Sequence, residues 1–282
     1  MRRASRPSNA PYGTASACTQ TTRRFQTLET AEDFLKQATY HPVGETALMV
    51  SFGNIISPEI LRCTSALMDQ LRAHPFPGII EFTASYTGVT IFYDPRIAAR
   101  NSSLPDSPMG RGYSEVLART KDLMKNIVLS SGDTSPLVRI PVCFGGEYGP
   151  DLESVAKAHG MTPEKVIQVF SDAEYLVYMI GFTPGYPYMG GLPKELATPR
   201  RKTPRLAIPK GSVAVGGAQA GIYPMESPGG FHLLGRTPLE LFRPENKEDP
   251  TVLHAGDHVK FYAIDEAKYT AILEKEGAKS CK

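Results

Sequence analysis

The 282-residue chain has no tryptophan, only four cysteines, and no apolar run near the roughly eighteen residues a membrane helix needs. A spanning helix is therefore not expected. Cys18, Cys63, Cys143 and Cys281 lie far apart with no C-x-x-C pair, so no zinc site or redox dithiol is written locally. Such scattered thiols suit a reducing compartment. Charge of one sign is lacking too: 31 Lys and Arg against 29 Asp and Glu leave a net charge of +2. That is no surplus for nucleic acid as a partner. The phosphate-binding patterns G-x-x-x-x-G-K-[ST] and G-x-G-x-x-G are absent, and so is the nucleophile elbow G-x-S-x-G. His254 and His258 have i, i+4 spacing, but Gly256-Asp257 marks a turn between them, so no metal site is expected. Met124-Lys125 falls on a helical pattern instead of a hairpin, so no biotin attachment site is expected either.

Glycine and proline are concentrated in one place. Residues 181–244 hold 11 of the 25 glycines and 10 of the 24 prolines, interleaved with Phe182, Tyr186, Tyr188, Ile208, Val213, Val215, Ile222, Tyr223, Phe231 and Leu233. A flexible linker would lack those apolar residues. Rigid turns alternating with short apolar strands describe a β-barrel whose loops hold a shape.

Upstream, residues 46–52 read as a strand. Ser57-Pro58-Glu59 is a helix start, with Ile60, Leu61, Leu67, Met68 and Leu71 on one face. Residues 79–83 and 89–93 read as a hairpin, 101–112 as a loop, and Ser114 opens a second helix. This β-α-β-β-α order predicts a ferredoxin-like α+β unit over 40–133. From Leu137 the pattern changes to a strand, short helices starting at Asp151 and Thr162-Pro163, a buried strand at 174–182, strands near 211–216, 221–223 and 231–234, and a closing strand at 257–264. That assigns 134–270 to a barrel domain and 271–282 to a C-terminal tail.

The first 28 residues carry five arginines and no acid before Glu29, and residues 1–39 are read as a flexible extension. Arg- and Ser-rich, acid-poor starts are shared with mitochondrial import signals, but Pro7, Pro11 and Gly13 interrupt an amphipathic helix. The expected address is cytoplasmic, with the mitochondrial matrix as the alternative.

The blocks GFTPGYPYMGGLP, TPRRKTPR, IPKGSVAVGG, QAGIYP and SPGGFHLLGRTPLELF, in that order, resemble the carboxyltransferase C/D domain family, also called the allophanate hydrolase subunit 1 family. The resemblance covers about residues 40–265. It departs from the usual pattern at Ala218 and Ala220, where Asn and Thr often stand, and at Phe231-His232 in place of Trp-Gln. It implies a cyclophilin-like barrel. It also implies a role as one component of an ATP-dependent complex that opens amides or lactams. On the 5-oxoprolinase side of the family that role is the B-type component, and the complex converts 5-oxoproline to glutamate. The implied partners are a companion carboxyltransferase-like subunit of the C type and a third subunit of the A type. ATP would belong to the complex, its site not wholly on this chain, and the chain alone would be inactive. Two alternatives stay open: the carboxyl-transfer half of a urea carboxylase system, and a regulator that inhibits a histidine kinase.

No catalytic residue is written plainly. Arg200, Arg205 and Arg236 can hold a carboxylate-like anion through bidentate pairs. Gln219 offers an amide and Tyr188 and Tyr223 offer phenols, while Gly229-Gly230 and Gly216-Gly217 can present N–H groups to an oxyanion. Ser227 shares the Ser227–Gly230 turn. The bland readings are a solvated loop for Arg200, Arg201, Lys202 and Arg205, and barrel bracing for Arg236. Glu147 and Asp151 form an acidic pair four apart; Asp151 is accounted for as a helix N-cap, leaving Glu147 as an acid–base candidate. Glu147, Arg200, Gln219 and Tyr223 are thus the catalytic candidates, and Arg205, Ser227, Gly229, Gly230 and Arg236 complete the binding set.

Overall fold

The computed structural model describes residues 30–100, 102–105, 107–129 and 135–280. The expected N-terminal extension up to residue 29, with its import-like composition, lies outside them, as does most of the connector between the two expected domains. The extension ends earlier than residue 39. The Thr30 side chain accepts from the Asp33 amide and starts α1 (Ala31–Lys36), whose Ala31 and Phe34 are buried in the first core. Six residues show too little periodicity to be read from sequence; burial of Phe34 decides them.

After α1 come β1 (Thr39–Val43), β2 (Ala47–Ser51), α2 (Pro58–Ala73), β3 (Ile79–Ser85), β4 (Gly88–Tyr93), α3 (Pro95–Arg100) and α4 (Arg111–Lys125). Ser57 caps α2 by accepting from the Ile60 amide, as its sequence pattern predicts. The sheet runs β1-β2-β4-β3, antiparallel throughout. This is the ferredoxin-like pattern with one change: the fourth strand, β1, comes before the first βα unit instead of after the last helix. Leu48, Val50, Val89 and Ile91 meet Leu67 and Leu71 of α2 in a fully buried layer. Two helices differ from expectation. Asp94 Oδ1 accepts from the Arg96 and Ile97 amides and starts α3, where the sequence showed only a strand stop. The second long helix begins at Arg111, not Ser114: a Cβ on Gly112 would lie 2.4 Å from the Pro95 carbonyl oxygen, so a glycine that reads as loop is what lets α4 cross α3 closely.

The second part comprises β5 (Leu137–Phe144), α5 (Leu152–Ala158), α6 (Pro163–Asp172), β6 (Tyr175–Ile180), β7 (Pro187–Gly190), β8 (Arg205–Ile208), β9 (Ser212–Gly216), β10 (Gln219–Ile222), β11 (Ser227–Gly229), β12 (His232–Arg236), β13 (His258–Ala263) and α7 (Glu266–Ser280). Seven strands close a barrel in the order β10-β7-β6-β13-β5-β12-β9, with β9 pairing back to β10. Closure leaves no free barrel edge, and the β13–β5 pair is the parallel one among these ladders. This is the cyclophilin-like barrel implied by the resemblance. Val142, Val177, Met189, Val213, Val215, Ile222 and Val259 fill it, all fully buried. β8 and β11 form a separate two-stranded ribbon. The expected tail from residue 271 is instead the body of α7, whose Tyr269 packs on Tyr148 with ring centroids 4.7 Å apart.

One carboxylate ties the ribbon to the barrel. Asp151 occupies the first position before α5, but its side chain makes no capping bond. Arg205 grips it with two nitrogens at 2.7 and 2.8 Å, Arg201 approaches to 3.1 Å, and the Leu233 amide donates at 2.8 Å. The N-cap reading of Asp151 is therefore corrected, and so is the anion-holding role of Arg205, whose fork is already filled. Gly149 makes the approach feasible: a Cβ there would lie 1.9 Å from the Leu234 carbonyl oxygen. Burial alone would raise the Asp151 pKa, but the Arg205 hydrogen bonds, the Leu233 amide and the charges of Arg205 and Arg201 outweigh it and hold it below the usual range.

Two outcomes are expected. Phe34→Ala should destabilise the chain by about 3–5 kcal/mol in urea unfolding, the cost of emptying a buried phenylalanine site. Asp151→Asn should cost about 3 kcal/mol at pH 7, because two part-buried guanidinium groups lose their counter-charge. A depressed carboxyl pKa contributes stability that is present above the unfolded value of about 3.9 and is lost as pH falls through the folded value. The gap between wild type and Asp151→Asn should therefore narrow as urea unfolding is repeated from about pH 4.5 down to pH 3.

Candidate functional site

Where the ribbon meets β7, β9, β10 and β12, aromatic rings pack into a second buried cluster of the barrel domain, and the surface over it is called the mouth below. Tyr186 packs on Tyr188 and Tyr223 with centroids 4.8 and 5.1 Å away, and Phe182 lies 5.6 Å from Tyr186. The Tyr186 and Tyr223 hydroxyls are hydrogen-bonded to each other, and the Phe231 amide donates to Tyr223. Glycines make room for this layer. A Cβ on Gly221 would lie 2.2 Å from the Tyr186 hydroxyl, one on Gly229 2.3 Å from that of Tyr223, and one on Gly216 2.5 Å from the Phe231 ring. Phe182 is itself unusual: exposed, and at φ 70 in the left-handed region that a bulky residue rarely adopts.

Arg200 is exposed and lays its guanidinium 5.1 Å over the Phe231 ring. Its loop is fixed behind it, where the Arg201 amide donates to the Gly230 carbonyl at 2.8 Å and the Arg201 side chain reaches Asp151. Opposite stands a residue from the other sheet. Tyr86, in the two-residue turn between β3 and β4, packs on Tyr178 and Tyr188 with centroids 6.2 and 5.8 Å away. The Gln219 Nε2 donates to the Tyr86 hydroxyl at 2.5 Å. Burial pushes the Tyr86 and Tyr223 phenols up, and the positive charge of Arg200 pulls both partly back, which puts its guanidinium in electrostatic reach of each. Both phenols thus stay protonated at neutral pH.

Of the sequence candidates, Arg200, Gln219, Tyr223, Gly229 and Gly230 come together here, with Tyr188 beside them. Ser227 is buried on β11 opposite Ile208, and its hydroxyl has no partner among the described residues. The Gly217 amide donates to the Thr198 carbonyl at 2.6 Å, so it is not offered to an oxyanion. Glu147 and Arg236 belong elsewhere: Arg236 reaches the Glu147 carbonyl at 3.5 Å and lies 5.6 Å from the Tyr148 ring, near Tyr269. That is the bracing role for Arg236. Glu147 enters it through its backbone, so the pair is removed from the mouth. Tyr86, Tyr178, Tyr186 and Phe231 were missed as site residues. For Tyr86 a signal existed, since a two-residue hairpin turn ordinarily takes Gly, Asn or Asp.

The mouth therefore carries the exposed Arg200 guanidinium, the half-buried Gln219 amide and the half-buried Tyr86 and Tyr188 phenols over the buried rings of Tyr186, Tyr223 and Phe231, a donor set suited to a small carboxylate or acyl group. Among the described residues no cluster of three potential metal ligands occurs, and no helix is long and apolar enough to cross a membrane.

The B-type component of 5-oxoprolinase from Bacillus subtilis (strain 168) is 41% identical over 233 residues, covering 83% of this chain and 95% of that protein. The crystal structure of TTHA0988 superposes with a TM-score of 0.65 at 32% identity, over 78% of this chain; the chain spans about two-fifths, 40%, of that solved chain. The K. lactis urea amidolyase shares the fold, with a TM-score of 0.67 at 20% identity over 86% of this chain and 16% of that one. The family model of the carboxyltransferase domain, subdomain C and D, matches residues 38–253, and the chain belongs to that family.

Proposed function

We propose that this chain is the B-type component of a cytoplasmic ATP-dependent 5-oxoprolinase, and that the barrel mouth receives the carboxylate or ring amide of the substrate. The observation that carries the reading is 41% identity spread over nearly the whole of a relative that bears the name of that 5-oxoprolinase component. The urea amidolyase likeness, at 20% identity, speaks for the fold alone, so the urea carboxylase alternative gains no support from it. Arg200 would pair with the carboxylate, and Gln219 and Tyr223 would hold the acyl oxygen, with the aromatic floor excluding water.

Arg201 and Arg205 both face Asp151, and the Gly217 amide is bonded to Thr198, which leaves Arg200 and Lys202 as the exposed bases of that loop. ATP is taken to belong to the complex, with a site not wholly on this chain, and the chain by itself is expected to be inactive.

Purified chain should show no hydrolysis of 5-oxoproline until the companion subunits and ATP are added. In the reconstituted complex Arg200→Ala should lower turnover of 5-oxoproline by roughly thirty- to thousand-fold, the loss of one charged contact worth about 2–4 kcal/mol. Its unfolding midpoint should hardly change, because an exposed loop arginine contributes little to stability. Unaltered turnover in Arg200→Ala would remove the mouth as the substrate site, and a complex inactive on 5-oxoproline would remove the substrate.

A further inference from the structure

The hairpin tip at Tyr86 is built in a way that its own sheet does not require. A tyrosine at the end of a two-residue β-turn ordinarily projects into solvent, because nothing of its own hairpin lies beyond it. Here the ring is half-buried against Tyr178 and Tyr188 of the barrel, and its hydroxyl accepts from Gln219, a residue 133 positions away in sequence. Gly88 lets the turn sit so low: a Cβ there would lie 2.2 Å from the Val50 carbonyl oxygen. The hydroxyl that accepts from Gln219 still carries its own proton to donate. Arg200 lies over the Phe231 ring, and that ring packs against Gly216, the cross-strand partner of Gln219. Three donors, two from the barrel domain and one from the ferredoxin-like sheet, are thus joined by direct packing and one hydrogen bond.

We infer that Tyr86 is a ligand-binding residue of the barrel mouth, donating its hydroxyl proton to a small planar carboxylate or amide held between Arg200 and Gln219. The ferredoxin-like sheet then supplies one wall of the binding site, and the barrel without it is incomplete. The inference deepens the reading of the mouth as a substrate site. It adds a residue that does not depend on which reaction the complex performs.

The test uses the full-length chain in its reconstituted complex, titrated calorimetrically with 5-oxoproline and, in parallel, with acetate and 2-pyrrolidinone as minimal carboxylate and lactam probes. Tyr86→Phe removes the hydroxyl and keeps the ring, Tyr86→Ala removes both, and Tyr262→Phe, on the outer face of β13, serves as the control. The expected result is a Kd for the bound probe raised about tenfold in Tyr86→Phe, the scale of one hydrogen bond to a ligand, and unchanged in Tyr262→Phe. In turnover of 5-oxoproline the same variant should raise KM with kcat nearly constant, which is the mark of uniform binding and not of altered folding. Equal Kd values for wild type and both Tyr86 variants, or no binding of any probe to the wild type, would overturn the inference. So would a lowered unfolding midpoint in Tyr86→Phe with an unchanged Kd, which would leave Tyr86 as a brace between sheet and barrel. Turnover that is insensitive to Tyr86→Phe removes this residue and leaves the proposed function standing. Tyr86-dependent probe binding in a complex that does not open 5-oxoproline removes the function and leaves the residue.

Discussion

A single buried carboxylate organises the half of the molecule that carries the site. Asp151 receives the fork of Arg205, a third guanidinium nitrogen from Arg201 and the amide of Leu233. Those four bonds join α5, the loop before β8, and β12, segments 50 to 82 residues apart in sequence. Arg205 aligns β8, which pairs with β11 and so positions Gly229; Arg201 fixes the backbone beside Arg200; Leu233 leads back to Phe231, under the Arg200 guanidinium. A neutral side chain at position 151 would leave two cations facing one another in partly dehydrated surroundings. The loop could then relieve the repulsion only by moving away.

The mouth obeys a second constraint, which is space. Stacked tyrosines need neighbours without side chains, and Gly216, Gly221 and Gly229 each stand where a Cβ would collide with an aromatic ring or its hydroxyl. These three glycines, in a stretch that looks like loop, therefore belong to strands. Their role is to let rings approach the backbone, more than to permit unusual dihedral angles; none of these three has positive φ. The phenols so enclosed are held neutral by burial, so the opening combines neutral donors with one exposed guanidinium. Asp151, the acid behind the Arg200 loop, is already neutralised by Arg201 and Arg205.

Several elements were legible in the residues. The Ser57-Pro58 start of α2, the β3–β4 hairpin, the Thr162-Pro163 start of α6 and the buried strand β6 all follow from caps, turns and periodicity within a few positions. Arg200, Gln219 and Tyr223 were named from their side-chain chemistry, whereas the Ser227–Gly230 segment, read as a turn, begins as strand β11. The short pieces were not legible. α1 and α3 are six residues each, and β7, β8 and β11 three or four, too brief for any period to emerge.

What the sequence determined by itself was the content: an α+β unit, then a glycine- and proline-rich barrel, with family blocks covering most of both. Tertiary structure decided the assignment of charges and the partner of each ring. Asp151 reads as a local cap and Arg201 and Arg205 as solvated bases, because pairing across 50 or more residues leaves no trace in spacing. Only the closed barrel brings Arg205 to Asp151 and sends Arg236 to Tyr148, leaving Arg200 outside both contacts. Tyr86 makes the same point across the two sheets. Its hairpin is written locally, but the hydrogen bond from Gln219 exists because the barrel's mouth and the tip of that hairpin meet in space.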